Sequence, residues 1–152
     1  MARAGKPTKP IVSLEEQAFV ALQRTADQLA RRVAEMLKPY GLSPTQYNAL
    51  RILRGAGPPG LACRQLGERM INRDPDITRL VDRLQRRGLV ERGRGTQDRR
   101  VITTRITAAG LAALKELDGP IAEYHRRLLG HLGGRRLHSL IRLLQAAQPR
   151  AA

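Results

Sequence analysis

The sequence predicts a mainly α-helical fold with one small β-hairpin. Over most of the chain, apolar residues recur every three or four positions, as they do along amphipathic helices, and proline or glycine ends each such segment. Residues 89–106 differ, because two short β-rich runs flank the glycine-rich segment GRGTQ. A short helix, a tight link and a second helix precede this hairpin. This order of elements predicts a winged helix-turn-helix with further helices on both sides of it.

The length of 152 residues predicts a single domain. We expect a flexible basic arm over residues 1–12, one domain over residues 13–147 and a disordered tail over residues 148–152. The segment MARAGKPTKP has no apolar stretch typical of a secretory signal, and no apolar run approaches the roughly 20 residues that span a bilayer. A single cysteine excludes an internal disulfide. These features predict a cytoplasmic protein.

A long helix is predicted over residues 14–38. Ser13 and Glu16 are spaced as in a capping box, and Pro39 ends the helix. Its apolar stripe consists of Leu22, Ala26, Leu29, Val33 and Leu37. A helix of about 25 residues is long for a small domain and needs a second surface to cover it, so we expect a dimer.

Two shorter helices are expected next. The Ser-Pro pair at 43–44 begins the first, which ends before Gly55, and the segment GAGPPG then forms a rigid turn. Residues 61–62 are candidates for a short edge strand. The following helix is predicted over Cys63 to Met70.

The helix after these two carries the clearest pattern in the chain. Asp74 can cap its first turn, and Pro75 suits the first helical position. Gly88 ends it, since glycine takes the left-handed cap conformation at least cost. Its apolar face has Ile77, Leu80, Val81 and Leu84, and its charged face has Asp76, Arg79, Asp82, Arg83 and Arg86. This segment is the predicted recognition helix.

A wing is predicted after the recognition helix, with a strand at 89–90, a turn at 93–97 and a return strand at 101–106. Thr107 can then cap a helix with Leu111, Leu114 and Leu117 along one stripe. The sequence Asp118-Gly119-Pro120 predicts either a kink or the start of a new helix. After a break at 130–134, the last helix is expected over Arg135 to Gln145.

The domain should therefore consist of a winged helix-turn-helix core over about residues 42–107 and dimerisation helices over about residues 14–38 and 108–146. These outer helices would bury their stripes against a second copy of the chain. A two-fold homodimer would place its recognition helices about one turn of DNA apart, roughly 34 Å, which suits a pseudo-palindromic site.

The formal net charge of +15 favours an anionic partner, with nucleic acid ahead of an acidic membrane. Residues 60–107 hold 12 Lys and Arg against 6 Asp and Glu, and the rest of the excess lies mainly toward the two ends. An arginine-rich composition also produces basic surfaces without a nucleic-acid role, so charge alone does not decide.

Three stretches of the sequence resemble the MarR family of bacterial transcription regulators. LSPTQYNALRIL at 42–53 is similar to the family's second helix, and ITRLVDRLQRRGLVER at 77–92 to its recognition helix and first wing strand. DRRVITTRIT at 98–107, followed by Gly110, is similar to its wing. The arginines and glycines at 133–136 and the break at 118–120 depart from the family's usual dimerisation helices.

The resemblance implies a winged-helix homodimer that binds operator DNA, usually as a repressor and often released by a small aromatic ligand. Carried over by position, the expected major-groove contacts are Thr78, Arg79 and residues near Asp76. The expected minor-groove contacts are Arg99 and Arg100, and Asp98 would orient the wing arginines.

The chemistry of the residues agrees with this assignment. Arg79 and Arg83 can offer bidentate donors to guanine O6 and N7, and arginines on a narrow hairpin suit phosphates or a narrow A·T-rich minor groove. The predicted DNA-binding set is Arg73, Asp76, Thr78, Arg79, Arg83, Arg94, Asp98, Arg99 and Arg100.

Structural interpretations of the same residues stay open. Arg79 and Arg83 could lie on a solvated helix face, paired with Asp76 and Asp82, and Arg83 could instead hold the wing. Asp76 could accept a hydrogen bond from cytosine N4, although an acidic residue there more often supports the helix N-terminus. Asp98 fits a structural partner better than a DNA contact.

Cys63 raises the question of redox sensing, because it lies at a predicted helix N-terminus beside Arg64, where a thiol becomes more reactive. A lone cysteine is more often a small buried hydrophobe. The histidines at 125, 131 and 138 lack the spacing of a helical metal-binding pair. No nucleophile–base set, phosphate-binding glycine loop or H-E-x-x-H motif stands out, so we predict no metal, no cofactor and no enzyme activity.

The predicted function is sequence-specific transcription regulation, by a homodimeric repressor that binds a pseudo-palindromic operator in double-stranded DNA and that a small aromatic ligand can release. Two alternatives remain: a redox-sensing regulator controlled through Cys63, and an architectural protein that binds DNA without sequence preference. An unchanged response of Cys63→Ser to peroxide would remove the first, and affinity indifferent to sequence would support the second.

Overall fold

The computed structural model describes residues 13–72, 76–95 and 98–148. Its elements confirm the mainly helical winged helix-turn-helix. In chain order they are α1 (Leu14–Leu37), a 3-10 turn (Lys38–Tyr40), α2 (Pro44–Ala56), α3 (Cys63–Arg69), α4 (Ile77–Arg86), β1 (Val90–Arg94), β2 (Ile102–Ile106), α5 (Ala108–Leu129), a second 3-10 turn (Gly130–Leu132) and α6 (Gly133–Ala147). The chain divides between Tyr47 and Asn48 into two compact units.

The first unit contains α1 and the start of α2. The Ser13 hydroxyl oxygen accepts a hydrogen bond from the Glu16 backbone N–H at 3.1 Å, as predicted for the cap of α1. Helix α1 ends one residue earlier than predicted, and Pro39 lies in the 3-10 turn that follows. At the start of α2, Ser43 and Gln46 each accept a hydrogen bond from the other's backbone N–H at 3.1 Å, which forms a capping box.

The second unit holds the hydrophobic core of the winged module. Its fully buried side chains come from the end of α2, from α3, α4 and β1 and from the first half of α5: Leu50, Leu53, Leu66, Leu80, Val81, Leu84, Val90, Leu114 and Leu117. The predicted inner face of α4 is therefore confirmed at Leu80, Val81 and Leu84. Helix α2 runs through Gly55 to Ala56, slightly beyond its predicted end.

The start of α4 differs from the prediction. Asp76 is the N-cap, and its Oδ1 accepts a hydrogen bond from the Arg79 backbone N–H at 3.1 Å. Asp74 and Pro75, which were expected to cap and open the helix, lie outside the described residues. The end of the helix agrees with the prediction, because Gly88 takes a left-handed conformation with φ of +70°.

The wing is an antiparallel hairpin in which Val90 pairs with Ile106 and Arg94 with Ile102. Strand β1 extends to Arg94, so Gly93 and Arg94 belong to a strand and not to the predicted turn. Midway along β2, Leu61 forms a single bridge to Thr104, with backbone N–O distances of 3.0 and 2.7 Å. This bridge is all that forms of the edge strand considered at 61–62.

Helix α5 runs without interruption through the sequence Asp118-Gly119-Pro120. Thr107 caps it, with its hydroxyl oxygen accepting from the Gly110 N–H at 3.1 Å. The break considered at 118–120 does not occur, and Asp118 is not a cap. The helix continues because Leu117 and Ile121 remain on one buried face, whose packing outweighs the one backbone hydrogen bond that Pro120 removes.

None of the helices in the described part of the chain is both long enough and apolar enough to cross a membrane.

Candidate nucleic-acid interface

The outer face of α4 presents exposed polar side chains. Thr78, Arg79 and Arg83 are exposed, while the opposite side of the helix is buried in the core. The side chain of Arg79 is 79% exposed, and its Nε lies 3.0 Å from Asp76 Oδ2. An exposed ion pair of this kind contributes little stability, so the guanidinium can leave it for another acceptor at small cost.

Both carboxylate oxygens of Asp76 are engaged at the start of α4. Oδ1 accepts from the Arg79 backbone N–H, and Oδ2 faces the Arg79 side chain. Asp76 therefore supports the helix N-terminus and orients Arg79, which is the structural interpretation considered for it. An acidic cap also interacts favourably with the positive end of the helix dipole.

Arg92, which was not among the predicted site residues, holds the wing against α4. Its Nη1 lies 2.6 Å from Asp82 Oδ1 and donates to Gln85 Oε1 at 2.8 Å. Its Nη2 donates to the Thr78 carbonyl oxygen at 3.4 Å. Arg83 is exposed instead of supporting the wing. A sequence signal for this role of Arg92 was available. Side chains alternate between the two faces of a strand, so residue 92 lies on the same face of β1 as the buried Val90.

The predicted wing arginines lie together and are exposed. Arg94 is at the end of β1, and Arg99 and Arg100 lie before β2. Asp98 Oδ1 accepts a hydrogen bond from the Arg100 backbone N–H at 2.8 Å, so the aspartate fixes the turn that carries both arginines. Among the described residues, none of these three arginines forms an ion pair, which leaves the tip of the wing positively charged.

A cavity of about 480 Å³ opens on this part of the wing. Arg92, Gly93, Arg94, Arg99, Arg100 and Ile102 line it. Three of these residues, Arg94, Arg99 and Arg100, are exposed arginines, and their positive charge suits a polyanion such as the DNA backbone.

The other candidate residues lie away from this surface or outside the described chain. Arg73 lies outside the described residues. Cys63 is the first residue of α3 and is half-buried. His138 Nδ1 lies 2.8 Å from the Gly134 carbonyl oxygen within α6. Across the described ranges, no cluster of His, Cys, Asp and Glu could hold a metal ion.

Comparisons with known proteins agree with this architecture. The MarR family model matches residues 42–102. A MarR transcription factor from Planctomyces limnophilus is 45% identical, and the match covers 89% of this chain and 98% of that chain with a TM-score of 0.66. CouR from Rhodococcus jostii RHA1, solved bound to p-coumaroyl-CoA, is 25% identical. The match covers 92% of this chain and 98% of CouR, with a TM-score of 0.78.

A comparison of sequences alone finds a further transcriptional regulator as a relative. The HTH-type transcriptional regulator MhqR of Bacillus subtilis (strain 168) is 28% identical over 99 residues, which are 65% of this chain and 67% of the relative. These relatives are transcriptional regulators and not enzymes. With the winged helix-turn-helix, the outward arginines of α4 and the basic wing, they show that this chain belongs to the MarR family of DNA-binding transcriptional regulators.

Proposed function

We propose that the protein is a cytoplasmic repressor that binds a pseudo-palindromic operator as a homodimer. In this proposal α4 lies in the major groove and the wing in the adjacent minor groove. The observation that carries it is the Arg92 network, which ties the outward face of α4 and the basic wing into one preformed surface. Because α4 and the wing are already held together, DNA binding does not require the free-energy cost of ordering one against the other.

The DNA contacts follow from this arrangement. Arg79 and Arg83 would read guanine in the major groove, with Thr78 beside them, because their side chains are exposed on the outer face of α4. Arg94, Arg99 and Arg100 would contact phosphates or enter the minor groove. Arg73 would add a phosphate contact ahead of α4. Asp76 and Asp98 would position arginines and not contact the bases.

Apolar surface on the outer helices supports the homodimer. On α6, Ile141 is 51% and Leu143 is 68% exposed, and on α1, Leu14 is 79% and Phe19 is 60% exposed. Exposed aliphatic and aromatic side chains of this size indicate, for each of these helices, a face that a partner covers. Sedimentation equilibrium should give twice the chain mass at micromolar concentration.

The proposed function includes release from the operator by a small aromatic effector. CouR binds an aromatic acyl thioester of coenzyme A, and we extend to this protein only the expectation that a small aromatic molecule weakens operator binding. Release by such a ligand would appear as a concentration-dependent loss of the protein–DNA complex.

The test of the proposed function is binding to the DNA upstream of the protein's own gene. Fluorescence anisotropy at about physiological salt should show a preference of about 10³-fold or more over a shuffled duplex of equal composition. Two results together would contradict sequence-specific regulation and favour the architectural alternative. The protein would bind the upstream DNA and the shuffled duplex equally, and it would bind fragments selected from the whole genome no more tightly than either.

A further inference from the structure

Ile102 is an aliphatic side chain in an unusual place on the wing. It is 63% exposed at the start of β2 and pairs with Arg94 across the hairpin. Residues that pair in register share one face of a hairpin, and so do alternate residues along a strand. Ile102 therefore lies on the same face as Arg94 and as Arg92 and Thr104, which pair two positions closer to the base of the hairpin.

This face of the hairpin is turned toward the recognition helix. Arg92 marks its direction, because its guanidinium contacts Asp82, Gln85 and the Thr78 carbonyl on α4. Ile102 lies two register pairs further toward the tip of the hairpin. Its side chain therefore projects into the angle between the wing and the recognition helix, and it lines the same cavity as the wing arginines.

The neighbouring aliphatic residue lies on the other face. Val101 and Thr103 line a separate cavity of about 240 Å³ with Pro59, Gly60 and Leu61. The hairpin therefore carries one aliphatic side chain toward the surface that would meet DNA and one away from it. This difference supplies a matched pair of positions for an experiment.

We propose that Ile102 packs against the deoxyribose walls of the minor groove and makes the wing discriminate A·T from G·C base pairs. This inference rests on the proposed function, because it assumes that the wing enters the minor groove. A narrow A·T-rich groove brings both sugar walls within reach of an aliphatic side chain. A guanine adds its N2 amino group to the groove floor and excludes the side chain from it.

The test uses three operators and three proteins. The operators carry A·T, G·C or inosine·C pairs at the wing-facing steps, since inosine·C keeps the major-groove edge of G·C and lacks the minor-groove amino group. The proteins are wild type, Ile102→Thr and Val101→Thr. Both substitutions keep a β-branched residue in the hairpin, and thermal melts establish that each variant is folded.

Wild type should bind the A·T operator more tightly than the G·C operator, and inosine·C should restore the affinity. Ile102→Thr should bind the A·T operator about threefold to tenfold more weakly and lose most of the discrimination. Val101→Thr should stay within about twofold of wild type on all three operators, since its side chain faces away from the DNA.

Three results would overturn the inference: Ile102→Thr discriminating as well as wild type, Val101→Thr losing as much as Ile102→Thr, or inosine·C failing to restore binding. Each leaves the proposed function standing as long as wild type prefers its operator over a shuffled duplex. Loss of that preference would instead contradict the proposed function itself.

Discussion

Arg92 of β1 and Asp82 of α4 form an ion pair whose nearest atoms, Nη1 and Oδ1, are 2.6 Å apart. With the Gln85 and Thr78 contacts, it fixes the angle between the wing and the recognition helix. Arg92→Met keeps the apolar stem and removes the guanidinium. We expect operator affinity to fall by about tenfold and stability by about 1 kcal/mol or less, since the pair is partly exposed. Anisotropy titrations and denaturant melts measure the two effects.

Asp82→Asn separates positioning from charge in this pair. The substitution makes the protein more positive, which by itself strengthens non-specific binding. If positioning matters, Asp82→Asn should still weaken operator binding. A double-mutant cycle with Arg92→Met should then show coupling, and fully additive effects would argue against the proposed role.

Arg79 should set base preference. Arg79→Ala is expected to cost about 1–3 kcal/mol of binding free energy and to relax the preference at one position in each half-site. Arg79→Lys keeps the charge without the planar fork, so it should recover affinity more than specificity. Selection of bound sequences from a randomised operator measures both, and wild-type specificity in Arg79→Ala would show that α4 is not the reading helix.

Arg100 should act through phosphate or minor-groove charge. Arg100→Ala is expected to lower the slope of log affinity against log salt by about one unit. Arg100→Lys should keep the slope. Titrations between about 50 and 200 mM salt measure it, and an unchanged slope in Arg100→Ala would place this residue away from the DNA backbone.

Gly110 and Gly119 offer a matched pair within α5. A Cβ at Gly110 would overlap with the Leu89 carbonyl oxygen and with the Ile106 side chain, whereas a Cβ at Gly119 would meet nothing within 4 Å. Gly110→Ala should destabilise the fold by about 1–3 kcal/mol through overpacking. Gly119→Ala should stabilise it by about 0.5–1 kcal/mol, because alanine is the better helix former. Urea unfolding compares the two, and equal effects would contradict the close approach at Gly110.

The ion pair between Arg54 and Asp118 should make stability depend on pH. Arg54 donates to both carboxylate oxygens at 2.9–3.0 Å, and these hydrogen bonds, aided by the charges of Arg54 and Arg51 and opposed by burial, lower the pKa of Asp118. A lowered pKa in the folded state means that this stabilisation is present above the ordinary pKa of the carboxyl and is lost as pH falls through the lowered one.

Melting temperatures of wild type and Asp118→Asn, followed from about pH 7 down to about pH 2, test this dependence. Wild type should be the more stable at neutral pH, and the difference should disappear at the acidic end. A difference that stays constant with pH would show that the pair contributes nothing through ionisation.

Local patterns predicted the elements of this fold but not its long-range contacts. The apolar stripe of α4, the Thr107 cap and the stop at Gly88 are properties of neighbouring residues, and all were predicted. The pairing of Arg54 with Asp118 joins residues 64 positions apart, and no local pattern indicates it. The packing that carries α5 through Pro120 is long-range as well, so a break was considered there. Arg92 was missed because the predicted strand stopped at residue 90, whereas β1 extends to Arg94.

The sequence predicted which residues form the candidate DNA surface more fully than it predicted what each residue does there. Arginines at 79, 83, 94, 99 and 100 stand out in the sequence, and the structure brings them to exposed positions on α4 and the wing. The sequence could not distinguish the cap from the polar face at Asp76, because both positions favour an acidic residue. The direction of the Ile102 side chain required the strand register.

The residues that lead into the wing and the first turn of α5 are in close contact. Thr107 Oγ1 donates to the Gly88 carbonyl oxygen at 2.6 Å, the Thr107 N–H donates to the Leu89 carbonyl oxygen at 3.1 Å, and Gly110 lies against that same carbonyl. These contacts join the first turn of α5 firmly to the base of the hairpin. In the proposed function, an effector that shifts this end of α5 would move the wing as well, without touching a surface that faces the DNA.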